Sequence, residues 1–297
     1  MRQAEKLGVS RWAVNRLVKV GHWQRLFPGI FLTHSAPPAW NSRAYGALLL
    51  GGPGAFLCRE SAWFLDGMQL KPPDVITLSV PREKQVSHQP GLQVIRGAPR
   101  LLRNTELTRP IPAETLLDMI ALETHPIDMI GHLTTAFRNN IRAVAVLKML
   151  ERRERYRHRK LIKMLLGEVV DGVESPLEYL FDKNVESPHR LPRSRKQVVE
   201  RLGGRMTRAD RLVEEFLLRY ELDGEFAHPG GRTDLDTWRD NAALIKNRET
   251  TLRYRWANIV GTPCETAAQI VAALRLNGWT GQPKRCGPQC VVMNYRP

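Results

Sequence analysis

Asp210 and, eleven residues later, the run Glu221-Leu222-Asp223-Gly224 are the residues whose types and spacing carry the clearest chemistry in this chain. Successive side chains of a strand alternate between faces, so Glu221 and Asp223 share one side and Leu222 is left to the core. The stretch from Met206 to Val213 is expected to pair antiparallel with Phe216 to Asp223 through a short turn at Glu214 and Glu215, which brings Asp210 alongside. Three crowded carboxylates repel one another unless a cation neutralises them, so the pattern points to a divalent metal held by oxygen ligands. The competing reading is that acid pairs beside a Gly turn are solvated strand ends.

The flanking elements must position these groups. Upstream, Glu174-Ser175-Pro176-Leu177-Glu178 reads as a helix start, with Ser175 as N-cap, Pro176 at the first helical position and Glu178 in capping-box register. Capping is therefore a competing role for Glu178. Downstream come His228, a helix opening at Trp238-Arg239-Asp240-Asn241 and running to about Arg248, and a strand from Thr250 to Trp256. A last helix follows Thr262-Pro263-Cys264-Glu265 and stops at Asn277-Gly278.

A helix with an acid, two strands carrying Asp and Glu-x-Asp, then helix, strand and helix: this order resembles the PD-(D/E)xK nuclease superfamily. The likeness is to its very-short-patch-repair-like (Vsr-like) branch, over about residues 168 to 281. It implies that Glu178, Asp210 and Glu221 are the acidic cluster, that Asp223 stands where the wider superfamily usually has Lys, and that His228 follows the Asp-Gly turn as the branch's histidine does. The implied activity is Mg²⁺- or Mn²⁺-dependent endonuclease hydrolysis of DNA. Asp210, Glu221 and Asp223 would hold the metal, Glu178 would orient its water, and His228 would serve as base or phosphate contact. With no lysine, a second metal or His228 must stabilise the hydroxide or the phosphate. Arg211 stands where the branch generally has an aromatic residue, and Arg219 interrupts a strand that is usually apolar.

The N-terminus carries a second pattern. Gln3 to Ser10 reads as the end of a helix, a Gly turn and a Ser N-cap, after which Arg11 to Val20 forms a second helix with Ala13, Leu17 and Val20 on one face. Two strand-like runs, Gly21 to Phe27 and Ile30 to Thr33, meet at Pro28-Gly29 as a hairpin, and Trp12 and Trp23 are expected in the core. This resembles the winged-helix domain of AbiEi-type antitoxins, with the chain expected to begin inside the first helix. Such domains lay the second helix in the major groove, which implies Ser10, Arg11, Asn15, Arg16 and Lys19 as DNA contacts, with Arg25 on the wing. Small winged helices also serve as protein-interaction modules. A second function class follows: an antitoxin or transcriptional regulator that binds operator DNA, pairs with a cognate toxin and keeps the nuclease scaffold silent.

Composition agrees with a polyanionic partner. The chain has 297 residues, 45 Lys and Arg against 30 acids, a formal charge of +15 and a pI of about 10.1. Basic residues concentrate from Glu151 to Lys160, read as a solvated helix face, and again from Arg190 to Arg211. The expected class is mixed α/β. A winged helix spans 1–35, a mixed connecting region spans 36–166 and turns helical from about 112, a restriction-endonuclease-like central sheet flanked by helices spans 167–281, and a Cys-containing tail spans 282–297. In the connecting region, helices are expected over Ala44–Leu50 and Leu57–Leu65, and strands over Asp74–Val80 and Leu92–Arg96.

No apolar stretch reaches spanning length and the start lacks an apolar signal region, so no membrane partner is expected and the cytoplasm is the default compartment. Cys286 and Cys290 could bind zinc with Cys264 and a histidine. One pair falls short of the four donors of tetrahedral zinc, however, and the expectation is an ordinary tail turn.

Overall fold

A computed structural model describes residues 2–97, 100–103, 105–171, 176–223 and 234–294. The fold is mixed α/β and divides into two compact units, 1–122 with 139–154, and 123–138 with 155–297.

The first unit opens with helices α1 (Arg2–Lys6) and α2 (Arg11–Lys19), joined by a turn. Ser10 caps α2 by accepting from the Ala13 N–H at 3.2 Å, as its type and position predict. Strands β1 (Gln24–Phe27) and β2 (Ile30–Leu32) then form an antiparallel hairpin. Next come α3 (Trp40–Gly51), β3 (Phe56–Leu57), α4 (Arg59–Leu65), β4 (Ile76–Val80) and β5 (Leu92–Arg96). In the sheet β3-β4-β5 the first pair is antiparallel and the second parallel. Its centre, Ile76, Leu78 and Val80, packs with Ala44 and Ala47 of α3 and with Phe27 of the hairpin, so one apolar core holds hairpin, helix and sheet. A short hairpin, β6 (Leu102–Arg103) with β7 (Arg109–Pro110), leads into α5 (Pro112–Ile120).

Three expectations about this unit are corrected. Val20 is exposed because it is the C-cap of α2, and Val14 takes its place as the buried residue of the helix. Trp12 lies 70% exposed, on the helix face away from Val14. The basic run 151–160 is not one solvated helix face: α7 (Ala143–Glu151) ends inside it. Arg153 then turns inward to Glu114 (2.5 Å) and Asp118 (3.0 Å) on α5.

The second unit takes α6 (Pro126–Arg138) from the middle of the chain. This helix packs on a π-helical turn, Ala257–Gly261, where a Cβ on Gly261 would stand 3.0 Å from Ile127. Residue 167, near which a boundary is expected, lies inside α8 (Arg159–Asp171), whose Ile162, Leu165 and Leu166 are buried, and the second unit resumes before that helix, at Arg155. After it come α9 (Pro176–Phe181), a second π-helical turn Asp182–Glu186, β8 (Arg195–Leu202), β9 (Arg205–Val213), β10 (Leu218–Asp223), α10 (Asp234–Asn247), β11 (Thr250–Arg255) and α11 (Pro263–Leu276).

The sheet order is β11-β10-β9-β8, with β8, β9 and β10 antiparallel in turn and β11 parallel to β10. A parallel neighbour requires a crossover, and α10 lies on that connection. Gly203 and Gly204 join β8 to β9 with φ of +52° and +82°, and a Cβ at Gly203 would fall 2.6 Å from the Trp238 ring.

On one side of this sheet Tyr220 and Tyr254 cluster with Phe181 of α9. On the other, Arg219 is buried between Glu200 of β8 and Glu249, and Asn247 Nδ2 ties the same two acids at 3.1 and 2.9 Å. This buried cation is a strut between the outer strand and the end of α10. Arg219→Ala leaves Glu249 buried and without its charge partner, and is expected to destabilise the second unit by about 3 kcal/mol or more, measured as a shift in the urea midpoint.

Candidate functional site

Of the acids singled out by spacing, Asp210 lies near enough to Glu178 and to Glu221 for its charge to act on both, but among the described residues no three of these carboxylates come within the mutual reach of one ion. The ladder between β9 and β10 runs to the Arg211–Tyr220 pair, and beyond it the Asp210 carboxylate accepts the Leu222 backbone N–H at 2.8 Å. That bond holds the carboxylate against β10 one residue past Glu221. Glu221 is buried. Desolvation first, and the Asp210 charge second, push it up from its ordinary 4.5 to about 7, with Arg239, Arg253 and Arg219 pulling the other way. Glu178, on α9, is also buried and held above the usual carboxylate range, again by burial and then by Asp210. Glu178 and Glu221 thus share Asp210 as a charged neighbour.

Gln197 was not expected here. It falls on β8 between the Lys196–Arg211 and Val198–Ala209 pairs, opposite Asp210, and its Nε2 donates to Glu178 Oε1 at 2.6 Å. Its backbone has φ of +50°, a region that a side chain with Cβ rarely occupies and that costs on the order of 1–3 kcal/mol. Its Oε1 is buried and has no hydrogen-bond partner among the described residues. An orphaned acceptor on an amide that contacts Glu178 suits a site completed by a metal-bound water.

Arg211 fixes the geometry from behind. Fully buried, its guanidinium donates to Asp182 Oδ1 (2.5 Å), Ser194 Oγ (3.2 Å) and the Glu178 backbone carbonyl (2.8 Å), and lies 4.9 Å over the Phe181 ring. Glu186 accepts from Ser194 N (2.9 Å) and Oγ (2.7 Å) on the same network. Arg211 thus ties α9 and the turn after it to β9, on the residue next to Asp210. Where the family resemblance implies an aromatic residue, this chain uses a buried cation that positions Glu178.

Asp223 is placed differently from the other acids. Its oxygens lie 3.7 Å from Arg253 and 3.8 Å from Arg255, both on β11. Arg253 also pairs with Asp240 (2.8 Å), and Arg239 of α10 stands 3.8 Å from Glu221. Cations from α10 and β11 therefore flank Glu221 and Asp223. His228 and Gly224 lie outside the described residues, as do Glu174 and Ser175.

On α2, Arg11, Trp12, Asn15, Arg16 and Lys19 are all exposed. Positions 11, 15 and 19 follow one another at helix spacing. Arg16 lies 5.6 Å over Trp12, and on the hairpin the exposed Arg25 lies 5.5 Å over Phe31. Ser10 is occupied as the helix cap. Cys286 and Cys290, expected in an ordinary tail turn, sit with Cys264 and His189. Among the described residues, no helix is long and apolar enough to cross a membrane.

No protein-family model matches this chain, and a search of curated proteins finds no match either.

The raised Glu221 has a consequence for stability. A carboxyl that titrates higher when folded favours the fold while protonated, so its contribution is complete below about 4.5 and is lost as pH rises through about 7. Metal-free protein is expected to lose stability on the order of 3 kcal/mol across that window. Glu221→Gln should flatten the profile, and denaturant titrations at a series of pH values measure both.

Proposed function

We propose that the second unit hydrolyses DNA phosphodiesters at the Glu178–Asp210–Glu221 cluster with Mg²⁺ or Mn²⁺, and that the N-terminal helix pair and hairpin act as a DNA-binding winged helix. The observation that carries the hydrolase reading is the pair of buried carboxyls on either side of Asp210, each raised by burial and then by the Asp210 charge, with the unpartnered Gln197 Oε1 next to Glu178. Support also comes from the order α9-β8-β9-β10-α10-β11, whose antiparallel trio and parallel fourth strand suit an endonuclease-like sheet.

On this reading Asp210 and Glu221 are the metal ligands. Glu178, steered by Gln197, orients the attacking water. A bound divalent ion would lower the pKa of that water and draw charge from the phosphate. Arg239 and Arg253 are placed to neutralise the phosphate in lieu of a lysine, and His228 remains the proposed base or phosphate contact. Asp223 completes the metal shell by exchanging its contacts with Arg253 and Arg255 for the ion. The donor set, carboxylate oxygens with a neutral amide, suits a hard cation.

The α2 face supplies DNA affinity through Arg11, Arg16 and Lys19, with Asn15 turned to base edges and Arg25 on the wing. Trp12 belongs to this surface, as an apolar platform that carries the Arg16 guanidinium.

A second reading is favoured by one observation. Arg239, Arg253 and Arg255 already face Glu221 and Asp223, so the acids are partly neutralised without a metal. This fits an operator-binding antitoxin or regulator whose nuclease scaffold is silent and serves a cognate toxin.

Plasmid nicking with and without Mg²⁺ or Mn²⁺ separates the two. The hydrolase reading expects metal-dependent cleavage that falls at least about 100-fold in Asp210→Asn with the fold intact by circular dichroism. Cleavage unchanged by that substitution defeats the assignment. No cleavage with either ion, together with a mobility shift on the DNA upstream of the protein's own start, establishes the silent regulator.

For the α2 face, Arg11→Ala with Lys19→Ala is expected to weaken DNA binding across sequences. The double variant should also make the slope of log K against log salt shallower by about 2, read by fluorescence anisotropy. An unchanged slope removes α2 from the interface.

A further inference from the structure

The thiol and imidazole cluster at the far end of the second unit lies apart from the residues used so far. His189 follows the Asp182–Glu186 turn, Cys264 sits in the first turn of α11, and Cys286 and Cys290 lie in the tail. One donor atom from each of the four lies within 4.8 Å of every other. Three thiols and one imidazole at that separation form the donor set of a closed structural zinc site.

The imidazole is set up as a ligand. His189 is fully buried, and its Nδ1 is 2.7 Å from the Val185 backbone carbonyl, a contact that requires the proton on Nδ1. Nε2 then carries the lone pair, and it is buried with no hydrogen-bond partner among the described residues. A backbone carbonyl fixing the non-ligating nitrogen is the usual arrangement for a metal-bound histidine.

The sulfurs are similarly prepared. Cys264 and Cys286 Sγ are 3.4 Å apart, too far for a disulfide and close to the roughly 3.8 Å that two thiolates span around tetrahedral zinc. Backbone N–H groups of Val292 and Cys286 hydrogen-bond the Cys290 sulfur. The tail is held at the site by Lys284 N donating to the His189 carbonyl at 2.8 Å, and Cys290 and Val292 are buried.

We propose that His189, Cys264, Cys286 and Cys290 bind a structural zinc ion that clamps the tail onto α11 and onto the turn after α9. Binding releases the three thiol protons to solvent, and no electron transfer is involved. The pinned turn carries Asp182 and Glu186, the acids that Arg211 engages. The clamp therefore braces the support of Glu178 without contributing to the acidic cluster, and it holds whether or not that cluster cleaves DNA.

The full chain, purified from zinc-supplemented cells and freed of loose metal, should carry about one zinc per chain by mass spectrometry of the metal. Asp210→Asn should retain the zinc, whereas Cys286→Ser with Cys290→Ser should lose it. Because the double variant can fail to fold, cobalt is also titrated into metal-free wild type, where intense thiolate charge-transfer absorption and tetrahedral ligand-field bands are expected. Zinc-free wild-type protein that gives no such spectrum overturns the proposal. So does a Cys264–Cys286 disulfide found in protein purified without oxidant, or full zinc content in the double variant.

Discussion

The second unit is organised around the cost of holding carboxylates close to Asp210. Glu178 and Glu221 are both buried, and both feel its charge, so each is driven toward its protonated form. Such a cluster persists only if the backbone around it is over-determined. Here the constraint comes from Arg211, whose guanidinium holds the Glu178 carbonyl and Asp182 while its own backbone belongs to β9 beside Asp210. Arg211 therefore ties the two chain segments together, alongside the Gln197–Glu178 hydrogen bond and the packing of Phe181 on Tyr220. The left-handed backbone of Gln197 is tolerated within the same framework, because its amide is anchored on Glu178.

Arg211 and Arg219 solve related problems on opposite faces of the sheet. Arg211 gathers Asp182, Ser194 and a backbone carbonyl against the Phe181 ring, and Arg219 gathers Glu200 and Glu249. A buried guanidinium is costly unless its charge is answered, and both are paired with acids that are themselves largely buried, although the Nε of each has no hydrogen-bond partner among the described residues. These two arginines depart from the pattern that the nuclease resemblance implies. In the structure they are packing elements, and the second of them also lowers the titration of Glu221, though less than Arg239 and Arg253 do.

Most elements were legible because local signals suffice for them. The Ser10 cap, the turn between β9 and β10 and the start and stop signals of α11 are each local, and each element formed within a residue or two of where those signals place it. Strand β8 was not foreseen, because Arg195, Lys196, Gln197 and Glu200 give it no apolar alternation, and its pairing with β9 supplies what its own sequence lacks. The acids Glu178, Asp210 and Glu221 were identified by type and order. Gln197 and His189 were not, since an amide and an imidazole acquire meaning only from neighbours distant along the chain. Trp12 was misplaced for the opposite reason: a large aromatic residue reads as core by type, but the helix phase set by Val14 turns it to solvent.

The electrostatics of the cluster bear directly on the choice between a working and a silent site. With Glu221 titrating near 7, the trio near neutral pH carries less than its full formal charge, and a divalent ion would have to displace that proton. Arg239 and Arg253 compete for the same oxygens, but at 3.8 Å the Arg239 contact is looser than its pairing with Asp236, and Arg253 is held chiefly by Asp240. Both cations thus have partners of their own and need not leave the fold for a metal to enter. Asp223 is less buried and faces two arginines of β11. Glu178 and Glu221 are compensated only in part, by Gln197 on the first and Arg239 beside the second, and a divalent cation would relieve the repulsion that remains around Asp210.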